Sequence, residues 1–199
     1  ERFRPDMIKF YPCLVIKGTR LYLDWKKGEF KPLTEKRAVS LLADLKEEIP
    51  KYVRIMRVNR DIPSTVISAG VKKTNLRQMV EEELKHRGTE CHCIRCQEVG
   101  LKNRGKQITF DKPKLSTMFY EASSGEEAFI SLESKHGLYG FLRLRKPADH
   151  FIANTDKNTA LVRELHVYGR ALSLGQHKKE SVQHKGYGEL LLKEAEKIA

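Results

Sequence analysis

Residues 88–100, GTECHCIRCQEVG, hold three of the four cysteines of this 199-residue chain, Cys91, Cys93 and Cys96, in the spacing C-x-C-x-x-C. Three thiolates in so short a loop can turn their sulfurs onto one ion. Zinc suits such a site, and a closed structural zinc site needs four ligands. Cys13, on the first apolar run, and His86, just upstream of the cluster, are candidates for the fourth; His92, between two ligands, would strain the loop. A disulfide reading is unattractive, because three clustered cysteines cannot all pair and a reducing compartment keeps thiols free. CIRC also lacks the strand–helix setting of a thioredoxin-like redox pair. Unligated thiols are the alternative for the cluster, and a small apolar core residue is the alternative for Cys13.

A second chemical signal lies in SVQHKGYGELLLKEAEKIA, where Gln183, Gly186 and Gly188 fit the pattern Q/R-x-x-G-x-G/A ahead of a helix beginning near Tyr187. Glycines let backbone N–H groups converge without Cβ atoms in the way, and the helix adds the positive end of its dipole, so together they bind a pyrophosphate. An ordinary glycine turn before a helix is the alternative. The strand LVRELHVYG precedes the loop by about sixteen residues. This strand–loop–helix order resembles acetyl-coenzyme A-binding acetyltransferases of the GNAT superfamily, in which the strand pairs with the pantetheine arm and the loop holds the pyrophosphate. The resemblance points to Glu164, Leu165, His166 and Val167 on the strand and to Gln183, His184, Lys185, Gly186, Tyr187, Gly188 and Glu189 in the loop. Glu164 and His166 read as sheet residues rather than as an acid–base pair.

Two sets of elements must position these groups. Toward the N-terminus, Cys13–Ile16 reads as a buried strand bounded by Pro12 and Gly18. Thr34 caps a helix with Val39, Leu41, Leu42, Leu45 and Ile49 as its apolar stripe, ended by Pro50. Val53–Val58 reads as a strand, and Leu76, Met79, Val80 and Leu84 share one face of a helix that stops at Gly88. This order predicts α/β packing, as at the end of a parallel barrel or sheet. Past the cysteines, QITF, KLSTMFY, EAFISLE, LYGFLRLR and LVRELHVYG are five strand-like runs leading to the final helix, whose apolar face is Leu190, Leu191, Ala195 and Ile198. The boundary between the two parts is expected at residues 88–104.

The charge is +12, from 38 Lys and Arg against 26 Asp and Glu. A surplus of this size attracts polyanions, and the basic residues are dispersed, which favours a folded basic surface over a disordered tail. Lys72, Lys73, Arg77, Lys102, Arg104 and Lys106 are the candidate contacts to nucleic-acid phosphates, with a solvated exterior as the alternative. The apolar runs are far too short to span a bilayer, so no membrane partner is expected and the cytoplasm is the expected compartment. The chain starts with glutamate and stops within an amphipathic helix, so it reads as a piece of something larger.

FRPDMIKFYPCLVIKGTRLY, RVNRDIPSTVISAGV, CIRCQEVG, LRLRKP, LVRELHVYG and QHKGYGELLLKEAEKIA resemble, in order, successive blocks of the catalytic third subunit of Elongator in its archaeal or bacterial form. The resemblance implies an α/β remnant of a radical S-adenosylmethionine barrel over 1–87, a zinc-binding connector over 88–104 and part of a GNAT-like α+β domain over 105–199. It implies acetyl-coenzyme A-dependent formation of a 5-carboxymethyl-type group on the wobble uridine of tRNA. S-adenosylmethionine and a 4Fe–4S cluster would act in the full-length protein, and Elongator-type subunits are candidate partners. The CxxxCxxC ligands of that cluster are not among the four cysteines here, so the isolated chain is expected to be inactive. Protein lysine acetylation and a non-catalytic, zinc-bearing RNA-binding module are the alternatives.

Overall fold

The computed structural model describes residues 3–106, 111–148, 155, 156, 158–168 and 186–199. The chain forms two compact units, Asp6–Arg95 and Cys96–Ala199, with residues 1–5 assigned to the second. Their division falls inside the stretch 88–104.

In the first unit, β1 (Met7–Phe10) pairs in parallel with β3 (Arg54–Val58), and β2 (Val15–Ile16) pairs antiparallel with β4 (Ile67–Ala69). Between them run α1 (Arg20–Lys26) and α2 (Glu35–Glu47), and after them α3 (Leu76–His86). The Thr34 hydroxyl accepts a hydrogen bond from the Arg37 amide, which starts α2 as its sequence indicates. Arg87 then ties α3 to α2: its guanidinium donates to Asp44, Glu47, Glu83 and Ser40. Val15, Leu42, Ile55, Ile67, Leu76, Val80 and Leu84 form the core.

Two expectations change here, and one helix is added. The apolar run at Cys13–Ile16 yields only a two-residue strand, with Cys13 exposed, while β1 lies just upstream where Lys9 interrupts the apolar pattern. On α2 the buried side is Ala38, Leu42, Ala43 and Lys46, and Leu41 and Leu45 are each 40% exposed. The helical period places 38, 42 and 46 on one stripe, and small alanines bury as completely as leucines do. Helix α1 has no counterpart among the expected elements; Thr19 caps it through the Tyr22 amide and Gly28, at φ +81°, follows its end.

The second unit opens with α4 (Ile94–Gln97), whose first two residues belong to the preceding unit, and α5 (Val99–Lys102). An antiparallel sheet follows in the order β5-β6-β7-β8: β5 (Lys114–Ala122), β6 (Gly125–Ser134), β7 (Gly137–Lys146) and β8 (Leu161–Val167). Ser123 and Ser124, both at positive φ, make the two-residue turn that the twist of a β5–β6 hairpin demands. At the next turn Gly137 is obligatory, since a Cβ there would stand 2.3 Å from the Gln97 carbonyl oxygen. Helix α6 (Tyr187–Ile198) packs on β6, β7 and β8. Leu191 and Ala195 are its buried residues, whereas Leu190 of the expected apolar face is largely exposed. Four of the five expected strands are these; QITF, 107–110, lies outside the described residues.

Candidate functional site

The cysteine loop is held down locally by the Ile94 amide, which donates to the Val53 carbonyl at 3.0 Å. Cys91 and Cys93 are buried and Cys96 is half-buried, and their sulfurs lie within 4.8 Å of one another. Three thiolates on one tetrahedral zinc, with Zn–S near 2.3 Å, stand about 3.8 Å apart, so a small inward adjustment suffices. A 4Fe–4S cubane binds its thiolates on separate irons and spreads them more widely. The donor set therefore suits a single ion. Neither Cys13 nor His86 belongs to this group; both are exposed. Among the described residues, which include all four cysteines, no disulfide forms.

In the second unit, β8 is the last strand of the sheet among the described residues, so its far edge carries no partner strand there. Gly140 of β7 lets β8 approach: a Cβ at that position would lie 2.7 Å from the His166 carbonyl oxygen. The pairing slips once. Arg143 faces Glu164 and Leu144 faces Val162, which leaves Arg163 as the extra residue of a bulge. Bulges re-aim side chains and gather beside functional sites. Here Arg163 reaches the Glu127 carboxylate at 2.7 Å, and Arg145 holds the other oxygen of the same group at 2.7 Å. Glu127 is 2% exposed, so two guanidinium groups compensate one buried charge.

Glu164 accepts from the Arg143 guanidinium at 2.9 Å, and Arg143 is 1% exposed between the rings of Phe129 and Phe141. That ion pair occupies the Glu164 carboxylate within the sheet. His166 lies against Phe141 and Tyr168, its ring 5.0 Å from the latter's. Leu165 and Val167 meet the start of α6, where a Cβ on Gly188 would sit 3.9 and 4.0 Å from their side chains.

The N-terminus of α6 is opened by Gly186 in the left-handed region, at φ 74° and ψ 12°, with no side-chain cap. The Leu190 amide makes the first helical bond, to the Gly186 carbonyl at 3.0 Å, so the amides of Tyr187, Gly188 and Glu189 precede the helical ladder. The Glu189 carboxylate is drawn back along the helix to Lys193 at 2.6 Å, which holds it below the usual carboxylate range. Tyr187 stands edge-on to Tyr139, whose hydroxyl donates to Asp111 at 3.0 Å. Burial pushes the Tyr139 phenol up to about 12 and raises that of Tyr187. Gln183, His184 and Lys185 lie outside the described residues. Sequence reading missed Glu127, Arg163, Tyr139 and Asp111, since neither the bulge nor these cross-strand partners leaves a local pattern.

The basic candidates separate into two kinds. Lys72 and Lys73 are exposed, as are Arg104 and Lys106. Arg77 is half-buried and donates to the Ile55 and Met56 carbonyls of β3, and Lys102 donates to the Gln97 amide oxygen at 2.7 Å. Those two serve the fold. Among the described residues no helix is long and apolar enough to cross a membrane.

Residues 5–86 match the family described as the radical SAM C-terminal domain. Over 202 aligned residues the chain is 48% identical to the tRNA uridine(34) acetyltransferase of Methanocaldococcus jannaschii, which takes in 99% of this chain and 37% of that protein. It is 41% identical to Elongator complex protein 3 of Schizosaccharomyces pombe, again over 99% of this chain and 37% of the relative. Among solved structures, the archaeal Elp3 of Methanocaldococcus infernus with an N-terminal deletion superposes with a TM-score of 0.87 at 48% identity, covering 98% of this chain and 47% of that one. With the α/β unit, the cysteine loop and the strand–helix site already in place, these matches identify the chain as belonging to the Elongator complex protein 3 family, of which it spans little more than a third of the length of its curated relatives.

Proposed function

We propose that this chain supplies the acyl-cofactor site and part of the RNA surface of an enzyme that modifies the wobble uridine of tRNA, with acetyl-coenzyme A as the source of the added carbon. One observation carries the reading: β8, the terminal described strand, lies directly beneath the glycine-opened N-terminus of α6. The amides of Tyr187, Gly188 and Glu189 would hold the pyrophosphate at the positive end of the helix dipole. The backbone of Glu164–Val167 would pair with the amides of the pantetheine arm, with Gln183, His184 and Lys185 completing the loop. Acetyl-coenzyme A, when bound, supplies an activated acetyl group. Lys193 keeps the Glu189 charge away from the anion, and Arg143 holds the Glu164 carboxylate within the sheet. On this reading residues 105–199 belong to a GNAT-like domain. The tRNA substrate is supported by the names of the relatives and by the +12 charge.

The connector cysteines Cys91, Cys93 and Cys96 would bind one structural zinc; among the described residues no fourth Cys, His, Asp or Glu joins their group. The radical SAM relationship brings S-adenosylmethionine and a 4Fe–4S cluster to the enzyme as a whole. The three clustered thiols do not fit that cluster, being too close together and in C-x-C-x-x-C spacing. Elongator-type subunits are proposed partners, on the names of the eukaryotic relatives.

Calorimetric titration of the chain with acetyl-coenzyme A tests the cofactor site. Saturable binding that a Gly188→Val substitution weakens at least about tenfold is the expected result, given the crowding at Leu165 and Val167 and the displaced amides. Absence of binding, or equal binding by a folded Gly188→Val variant, would overturn it.

A further inference from the structure

Helix α1 carries the chain's single tryptophan, yet none of its seven residues is buried. Aromatic side chains ordinarily contribute their large apolar area to a core. Here Tyr22 and Trp25 stand half-exposed side by side, ring centroids 5.7 Å apart and planes tilted by 55°. The Lys26 ammonium lies 5.1 Å from the Trp25 ring and 5.8 Å from that of Tyr22, and Leu23 beside them is 55% exposed.

The electrostatics of the segment are one-sided. Residues 17–31 contain Lys17, Arg20, Lys26, Lys27 and Lys31 against Asp24 and Glu29. The single carboxylate within α1, Asp24, is already paired with Arg20 at 3.1 Å. The four lysines are exposed. A surface that sets π faces among cations matches a ligand that alternates flat bases with phosphates. A membrane surface fits less well, because a seven-residue helix whose rings are flanked by ammonium groups has no continuous apolar face to insert.

We propose that α1 is a stacking platform for single-stranded RNA, with Tyr22 and Trp25 taking base faces and Arg20, Lys17, Lys26 and Lys27 taking the flanking phosphates. The proposal deepens the tRNA reading and rests on it for the identity of the RNA. Its test reads RNA binding alone, so its failure leaves the acyl-cofactor site untouched.

Trp25, as the single tryptophan, reports on its own environment. The chain is titrated with oligouridylate, and in parallel with duplex RNA, heparin and anionic phospholipid vesicles, while tryptophan emission and the anisotropy of labelled oligouridylate are followed. Oligouridylate should quench Trp25 saturably and more weakly as salt rises, whereas heparin should bind without comparable quenching. Trp25→Phe should bind within about twofold of the parent and Trp25→Ala about tenfold more weakly, the loss of one base stack, at unchanged melting temperature. The proposal is overturned by saturation without quenching, by equal affinity in Trp25→Ala, by preference for duplex RNA, or by equal quenching with heparin or vesicles.

Discussion

Gly188, two residues into α6, lies over Leu165 of β8 so closely that a methyl group on the glycine would rest 3.9 Å from the leucine side chain. That spacing is ordinary van der Waals contact, so Gly188→Ala should fold and melt close to the parent. Gly188→Val should push the helix away from the strand and lower stability by about 1–3 kcal/mol, the usual cost of overpacking. Urea unfolding of the two variants, beside the acetyl-coenzyme A titration, separates a packing effect from a binding effect.

Glu127 holds two guanidinium groups from two other strands. Removing it takes from Arg145 and Arg163 the buried carboxylate they share. Glu127→Ala should cost about 3 kcal/mol, because breaking a buried ion pair from one side strands the other charges. A shift in the urea midpoint within the error of the parent would show the network to be expendable.

Metal analysis decides the role of the cysteine loop. The purified chain should carry about one zinc. Cys93→Ser and Cys96→Ser should each lower that content sharply and destabilise residues around the loop, while Cys13→Ser should leave it unchanged, since Cys13 is exposed and outside the sulfur group. Full zinc content in Cys93→Ser would remove the assignment.

The Tyr139 phenol is pushed up to about 12 by burial, above the ordinary tyrosine value near 10. Between those two values the unfolded chain has already lost the proton that the folded chain retains. The contribution of this group is thus fully present below about pH 10 and is lost as pH rises toward 12. Tyr139→Phe should lose about 1 kcal/mol at neutral pH with the hydrogen bond to Asp111, yet show a shallower fall in stability between pH 10 and 12. Chemical denaturation across that range checks both.

Arg104 and Lys106 are exposed, and Lys102 is engaged with Gln97. Reversing the charge of the first two should weaken tRNA binding and reduce its logarithmic salt slope by about 2, one for each lost phosphate contact. Lys102→Glu should act mainly on stability. An unchanged salt slope in the double variant would move the RNA surface elsewhere.

Much of the architecture is written in short windows. Thr34 and its apolar neighbours announce α2, apolar runs bounded by turn residues announce β6 and β7, and the two glycines ahead of ELLL announce α6. The C-x-C-x-x-C spacing alone is enough to make the three sulfurs neighbours. These features depend on contacts within a few residues, which composition and period control directly. Tertiary structure decided the rest. Glu164 is occupied by Arg143, twenty-one residues away in sequence, and Arg163 is aimed at Glu127 by a bulge that exists only in the pairing of two strands. Arg77 and Lys102, as basic as their neighbours on paper, make their hydrogen bonds inside the fold, while none of the α1 residues, its aromatics included, is buried. Which polar group finds a buried partner depends on the register and packing of distant segments, and no local pattern carries that information.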